Sequence, residues 1–229
     1  DPIDTATRID IPPRSTRPVW VSVDIPADAE PGVYESRLTV ETEGNIQIPL
    51  IARIEVLPLT LPPPAEWSFH LDLWQNPYSV ARYHNVEPWS EEHWRLLEPV
   101  TRLLAEAGQK CITTTIVHQP WGGQTYDAFD SMIEWNRKPD GRWAFDYTVF
   151  DRFVAFNDRC GISKEISCYS MVPWTNKFRY LDEASGDYRT VECTPGTDAY
   201  NAHWRPFLVD FTKHLKEKGW FDRTVMAMD

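Results

Sequence analysis

Residues 90–121 read SEEHWRLLEPVTRLLAEAGQKCITTTIVHQPW, and the hydrophobic period changes once along this stretch, from helical to extended. Leu96, Leu97, Val100, Leu103, Leu104 and Ala107 lie on one broad helical face. Ser90 is a good N-cap, Glu91 and Glu92 suit the positive end of the helix dipole, and Gly108 supplies the stop. Pro99 lacks an amide hydrogen and is expected to kink or delay the helix. The run KCITTTIV is then β-branched, as a strand requires, and the chain leaves it through His118, Gln119, Pro120 and Trp121.

The unit recurs downstream. YTVFDRFVAFNDRCG reads as a helix stopped by Gly161, and KEISCYSMV is the strand that follows. DAYNAHWRPFLVDFTKHLKEKG places Trp204, Phe207, Leu208, Phe211 and Leu215 on one helical face, with Gly219 as the stop, and TVMAMD is the next strand. Upstream, EWSFHLDLW reads as the first strand of the series. Strands alternating with helices imply parallel pairing and right-handed crossovers. The strand-to-helix segments, 119–146 and 173–197, are long, and each holds a hairpin-like stretch, around Asp140-Gly141 and Ser185-Gly186; the helix-to-strand connections are short. That asymmetry predicts the first half, strands one to four, of a (β/α)8 TIM barrel with its site at the C-terminal ends of the strands. A doubly wound open sheet is the rival, but no Gly-rich phosphate loop follows its first strand. Half a barrel would leave two strand edges and part of a core uncovered, so the protein is expected to continue past Asp229.

The first 57 residues differ in texture. RPVWVSVDIP, GVYESRLTVET and NIQIPLIARIEVLP alternate with period two and are separated by turn residues, which predicts antiparallel strands of a β-sandwich. Three or four strands are too few for a sandwich, so residues 1–57 are expected to be the C-terminal part of one. Pro58, Pro62, Pro63 and Pro64 mark 58–66 as a stiff linker, and 67–229 as the half barrel.

Composition narrows the function. A net charge of −11 argues against nucleic acid and anionic membrane surfaces as partners, and no apolar run approaches the ~20 residues of a transmembrane span. The chain is rich in rings, with 11 Trp, 9 Tyr and 10 Phe, which serve either a large core or the apolar faces of sugars. Cys111, Cys160, Cys168 and Cys193 show no zinc-type spacing and read as buried free thiols. There is no His-Glu-x-x-His, no Gly-x-Ser-x-Gly and no Walker loop, and no metal or cofactor is implied. The carboxylates at 127–130 and at Asp182-Glu183 read as solvated turns.

The strand ends then nominate a site. His70, Asp72 and Trp74 close strand one; His118, Gln119 and Trp121 close strand two; Tyr169 and Trp174 follow strand three; Asp229 closes strand four. Polar groups interleaved with indoles suit a glycan, whose hydroxyls and C–H faces need different partners. Each residue also has a structural reading. His70 and Asp72 would pair inside the barrel, His118 would be held by a backbone carbonyl, the tryptophans would pack under loops, and Asp229 would cap a following helix.

The motifs PGVYESRLTV, WSFHLDLWQNP, IVHQPW, SMVPW and VMAMD, in this order, resemble glycoside hydrolase family 123 along essentially the whole chain. The resemblance implies an N-terminal β-sandwich, a catalytic (β/α)8 barrel and β-N-acetylgalactosaminidase activity. It also implies an adjacent Asp-Glu pair at the end of strand four. The Asp orients the substrate's own 2-acetamido group for attack on the anomeric carbon, and the Glu is general acid and then base. Asp229 matches that Asp, and the Glu would lie beyond it, so the 229-residue piece is expected to be inactive. The location implied is periplasmic or secreted. A non-catalytic glycan-binding protein on a barrel scaffold, and a barrel glycosidase for sugars without an N-acetyl group, remain the alternatives.

Overall fold

β1 (Gly32–Thr42) and β2 (Ile46–Val56) form an antiparallel hairpin in register from Gly32 opposite Val56 to Thr42 opposite Ile46. The turn holds left-handed backbone at Gly44 (φ 93°) and Asn45 (φ 61°), the residue types that adopt it at least cost. The computed structural model describes residues 8–228 and divides into two units, Asp1–Leu61 and Pro62–Asp229. Among the described residues the hairpin is the first unit's entire sheet. RPVWVSVDIP, expected as a strand, is unpaired, because alternation makes a segment able to join a sheet but a hydrogen-bonding neighbour is what makes it a strand.

The second unit opens in the Pro-rich stretch with a short 3-10 turn, Pro64–Glu66, where Trp67 Nε1 donates to the Pro62 carbonyl at 2.7 Å. The expected first strand, EWSFHLDLW, forms no ladder. One backbone bond, Lys110 N–H to Leu71 O at 2.9 Å, ties it to the neighbouring chain. Beyond that the Gln109 side chain does the work of a strand. Its Oε1 accepts from Leu73 N–H at 2.6 Å, and its Nε2 donates to the carbonyls of Leu73 at 3.2 Å and Cys111 at 2.7 Å. A primary amide offers both the donor and the acceptor that a ladder needs.

α1 (Pro77–His84) is capped by Asn76 and closed by left-handed Asn85. α2 (Glu91–Glu106) is capped by Ser90 Oγ, which accepts from His93 N–H at 3.2 Å. Pro99 lies inside α2 without ending it; burial of His93, Trp94 and Leu97 on the core side outweighs the lost hydrogen bond. Then follow β3 (Cys111–Thr115), the hairpin β4 (Glu134–Arg137) and β5 (Trp143–Asp146), α3 (Thr148–Cys160), β6 (Glu165–Tyr169), the hairpin β7 (Lys177–Asp182) and β8 (Asp187–Glu192), α4 (Asp198–Lys218) and β9 (Thr224–Met226). Gly161 and Gly219 close α3 and α4 in left-handed conformation, and Thr197 Oγ1 caps α4.

Two sheets result. β3, β6 and β9 pair in parallel, in that order, with Cys111 opposite Glu165 and Ile166 opposite Thr224. No closed barrel is seen among the described residues; strand one of the expected four is replaced by the extended segment on Gln109. The second sheet, ordered β5-β4-β7-β8, joins the hairpins of the two long strand-to-helix segments through a parallel contact, Asn136 opposite Leu181. Ile112, Ile116, Phe150, Ile162, Ile166, Trp204, Phe207 and Phe211 are all but inaccessible and belong to the main core. The four cysteines are buried and free, as expected.

Candidate active site

The parallel register aligns the C-terminal ends of β3 and β6, and the residues just past those ends converge. Trp74, beyond the Gln109-bound segment, packs on Trp121 and on Tyr169, each with ring centroids 5.0 Å apart. Trp121 and Tyr169 are 5.2 Å apart, and Phe129 meets Trp121 edge-on at 4.7 Å. Ala227 packs against the same cluster, held by a hydrogen bond from its N–H to the Cys168 carbonyl at 2.9 Å that carries the β6–β9 pairing past Met226. Three residues nominated from different strand ends therefore form one aromatic wall.

Their exposure separates their roles. Trp74 is 53% exposed and offers an open indole, whereas Trp121 (4%) and Tyr169 (8%) lie beneath it and fix its position. Trp174, 54% exposed, also presents an open ring, and its N–H donates to the Pro120 carbonyl at 2.9 Å. That bond clasps the segment after β6 to the segment after β3.

His118, nominated as a sugar contact, is held by a carboxylate and not by the backbone carbonyl of its alternative structural reading. Its Nδ1 lies 2.8 Å from Asp130 Oδ1, and Arg179 of β7 donates to both Asp130 oxygens at 2.6 and 2.9 Å. Burial pushes the Asp130 carboxyl up, but the His118 hydrogen bond, the Arg179 charge and the Ser131 N–H outweigh it and hold the group below its ordinary value. Asp130 was expected in a solvated turn, as was Asp127, which accepts from Ser79 Oγ at 2.7 Å and Arg82 Nε at 2.6 Å. Both are structural carboxylates, and the partners that make them so lie 12 to 49 residues away in sequence. Glu134 on β4 also escaped the sequence reading. Burial raises its carboxyl against the lowering effects of the Tyr188 hydrogen bond and the Arg179 charge.

His70 and Asp72 do not join the wall. His70 Nε2 lies 3.3 Å from Cys111 Sγ, and Asp72 Oδ1 lies 3.5 Å from Gln109 Nε2, both where β3 begins rather than where it ends. Alternation had given their common face but not their height on the sheet. Glu165, the first residue of β6, completes a group with His70 and Cys111 whose donor atoms lie within 4.8 Å of one another. Asp229 lies outside the described residues.

The profile described as glycoside hydrolase 123, catalytic domain, matches residues 74–229, and that of the glycoside hydrolase 123 N-terminal domain matches residues 1–42. A solved family 123 glycoside hydrolase from Clostridium perfringens, whose description concerns glycolipid glycan hydrolysis, matches with a TM-score of 0.84 and 34% identity over 90% of this chain. The chain spans 37% of that protein's length. No curated protein matches.

Proposed function

The chain belongs to glycoside hydrolase family 123, and on that premise we propose that it forms one wall of the active site of a glycosidase releasing β-linked N-acetylgalactosamine, with the substrate's own acetamide as nucleophile. The observation that carries the proposal is the convergence of Trp74, Trp121 and Tyr169 on one cluster with Ala227, two residues before Asp229 in the sequence. In this reading β3, β6 and β9 are strands two to four of a (β/α)8 barrel, and the wall stands at the catalytic end of that barrel. The open face of Trp74 covers the C–H face of the sugar ring.

Asp229 accepts a hydrogen bond from the acetamide N–H and turns the acetamide oxygen toward the anomeric carbon. As that oxygen forms its bond to carbon, the glycosidic bond breaks, and a positive charge develops on the acetamide that the carboxylate stabilises. A Glu following Asp229 protonates the departing oxygen. It then takes a proton from water, which opens the oxazolinium ring and restores the β-configuration. Holding the nucleophile within the substrate corresponds to effective molarities of about 10⁵–10⁸ M for well-oriented groups. Glycans of this kind place the protein in the periplasm or outside the cell.

The test is Asp229→Asn in the complete protein, assayed with a chromogenic N-acetyl-β-galactosaminide and with the matching galactoside that lacks the acetamide. Turnover of the first should fall at least ~10²-fold, the scale of losing one charge-stabilising group. The wild type should leave the second intact. Full activity of Asp229→Asn would remove the assignment. Equal cleavage of both substrates would favour an ordinary two-carboxylate glycosidase, and binding without turnover would favour a glycan-binding scaffold.

A further inference from the structure

We propose that His70, Cys111 and Glu165 form a divalent-cation site, suited to zinc, at the end of the parallel sheet opposite the aromatic wall. The sheet register builds it. Cys111 and Glu165 are the first residues of β3 and β6 and sit directly opposite each other. The Lys110 N–H to Leu71 O bond draws His70 alongside them. His70 Nε2 is 3.3 Å from Cys111 Sγ, and Cys111 Sγ is 3.6 Å from Glu165 Oε1. Tetrahedral zinc with ordinary zinc–sulfur, zinc–nitrogen and zinc–oxygen bonds separates such donor pairs by ~3.6 Å. Both donor pairs that include Cys111 therefore already stand at coordination spacing, and the three donor atoms all lie within 4.8 Å of one another.

The chemistry of the donors agrees with the geometry. A thiolate, an imidazole and a carboxylate select zinc over magnesium or calcium, which prefer all-oxygen shells. One thiolate and one carboxylate balance the two charges of the ion, and the thiol proton leaves to solvent on binding. Ser167 Oγ donates to Glu165 Oε1 at 2.9 Å and fixes that carboxylate from outside, as second-sphere partners do. His70 is exposed, so the ion has an entry path and the fourth position is open to water. The site also has a structural use. The segment carrying His70 lacks a ladder to β3, and a metal shared by His70, Cys111 and Glu165 would pin that segment to two strands at once. No linear motif signals the site, since its members lie 41 and 54 residues apart along the chain.

The experiment is a titration of the metal-free chain with zinc sulfate against a chromophoric chelator, repeated with cobalt(II) as a spectroscopic substitute. One equivalent should bind. The cobalt form should show a thiolate-to-metal charge-transfer band and the intense visible bands of a four-coordinate ion. His70→Ala, a surface change that leaves the core intact, should weaken binding at least ~100-fold. Cys111→Ser should abolish the charge-transfer band, and His84→Ala should change nothing. No binding in competition with the chelator, a cobalt spectrum without the sulfur band, or binding that survives both His70→Ala and Cys111→Ser would each overturn the proposal.

Discussion

His203 lies flat on Trp135, with ring centroids 4.7 Å apart and planes 4° from parallel, and packs on Phe178 and Trp143 as well. It is 5% exposed, and burial, aided by the Arg137 charge, depresses the imidazole to about 4. The unfolded chain therefore binds a proton at higher pH than the folded one, and stability falls as pH drops from about 6.5 to about 4. A displacement of that size corresponds to roughly 3 kcal/mol. His203→Phe, which keeps the ring stack and removes the titration, should flatten the acid limb of a plot of urea-unfolding free energy against pH. An unchanged slope would show that the limb belongs to other groups. The sequence placed His203 in α4 without marking it, since burial of an imidazole among indoles depends on partners from β4, β5 and β7. Trp74, Trp121 and Tyr169 were legible because the repeat of strand and helix fixes where each strand ends. The misplacement of His70 and Asp72 has the opposite cause: residues four and two positions before Trp74 share its face but lie roughly 13 and 7 Å lower along an extended chain.

At the scale of elements, the three long helices and their glycine stops were readable from periodicity and end chemistry. Gly108 shows how tightly one of those stops is built. It adopts φ 91°, and a Cβ there would lie 2.7 Å from Trp67 Cε3. Gly108→Ala therefore combines a strained backbone with a collision against an indole that is itself anchored to Pro62. The expected cost is about 2 kcal/mol or more, read as a drop in the midpoint of thermal or urea unfolding. A neutral outcome would mean that Trp67 moves freely. The strands were less legible than the helices. EWSFHLDLW has strand composition yet takes its hydrogen bonds from Gln109, and RPVWVSVDIP has alternation yet no partner. In both, the deciding information lies in another part of the chain.

At the scale of the molecule, the two units are built on different terms. The second buries a continuous aromatic and aliphatic core, whereas every residue of β1 in the first is exposed. A two-stranded ribbon without a covered face is marginal in water. A peptide of residues 1–61 should accordingly show no cooperative thermal transition by circular dichroism, and a sharp one would mean that the hairpin is stabilised within its own unit. The four-stranded sheet β5-β4-β7-β8 carries a different consequence. Its halves come from two separate excursions of the chain, yet Asn136 and Leu181 stitch them into one surface, and Arg179 from one excursion grips Asp130 from the other. Neither excursion can be removed or transplanted by itself without leaving its counterpart with a raw edge and an orphaned charge. Diversification at this end of the protein must proceed in matched pairs, and a chimera that exchanges both together should tolerate what a single graft would not.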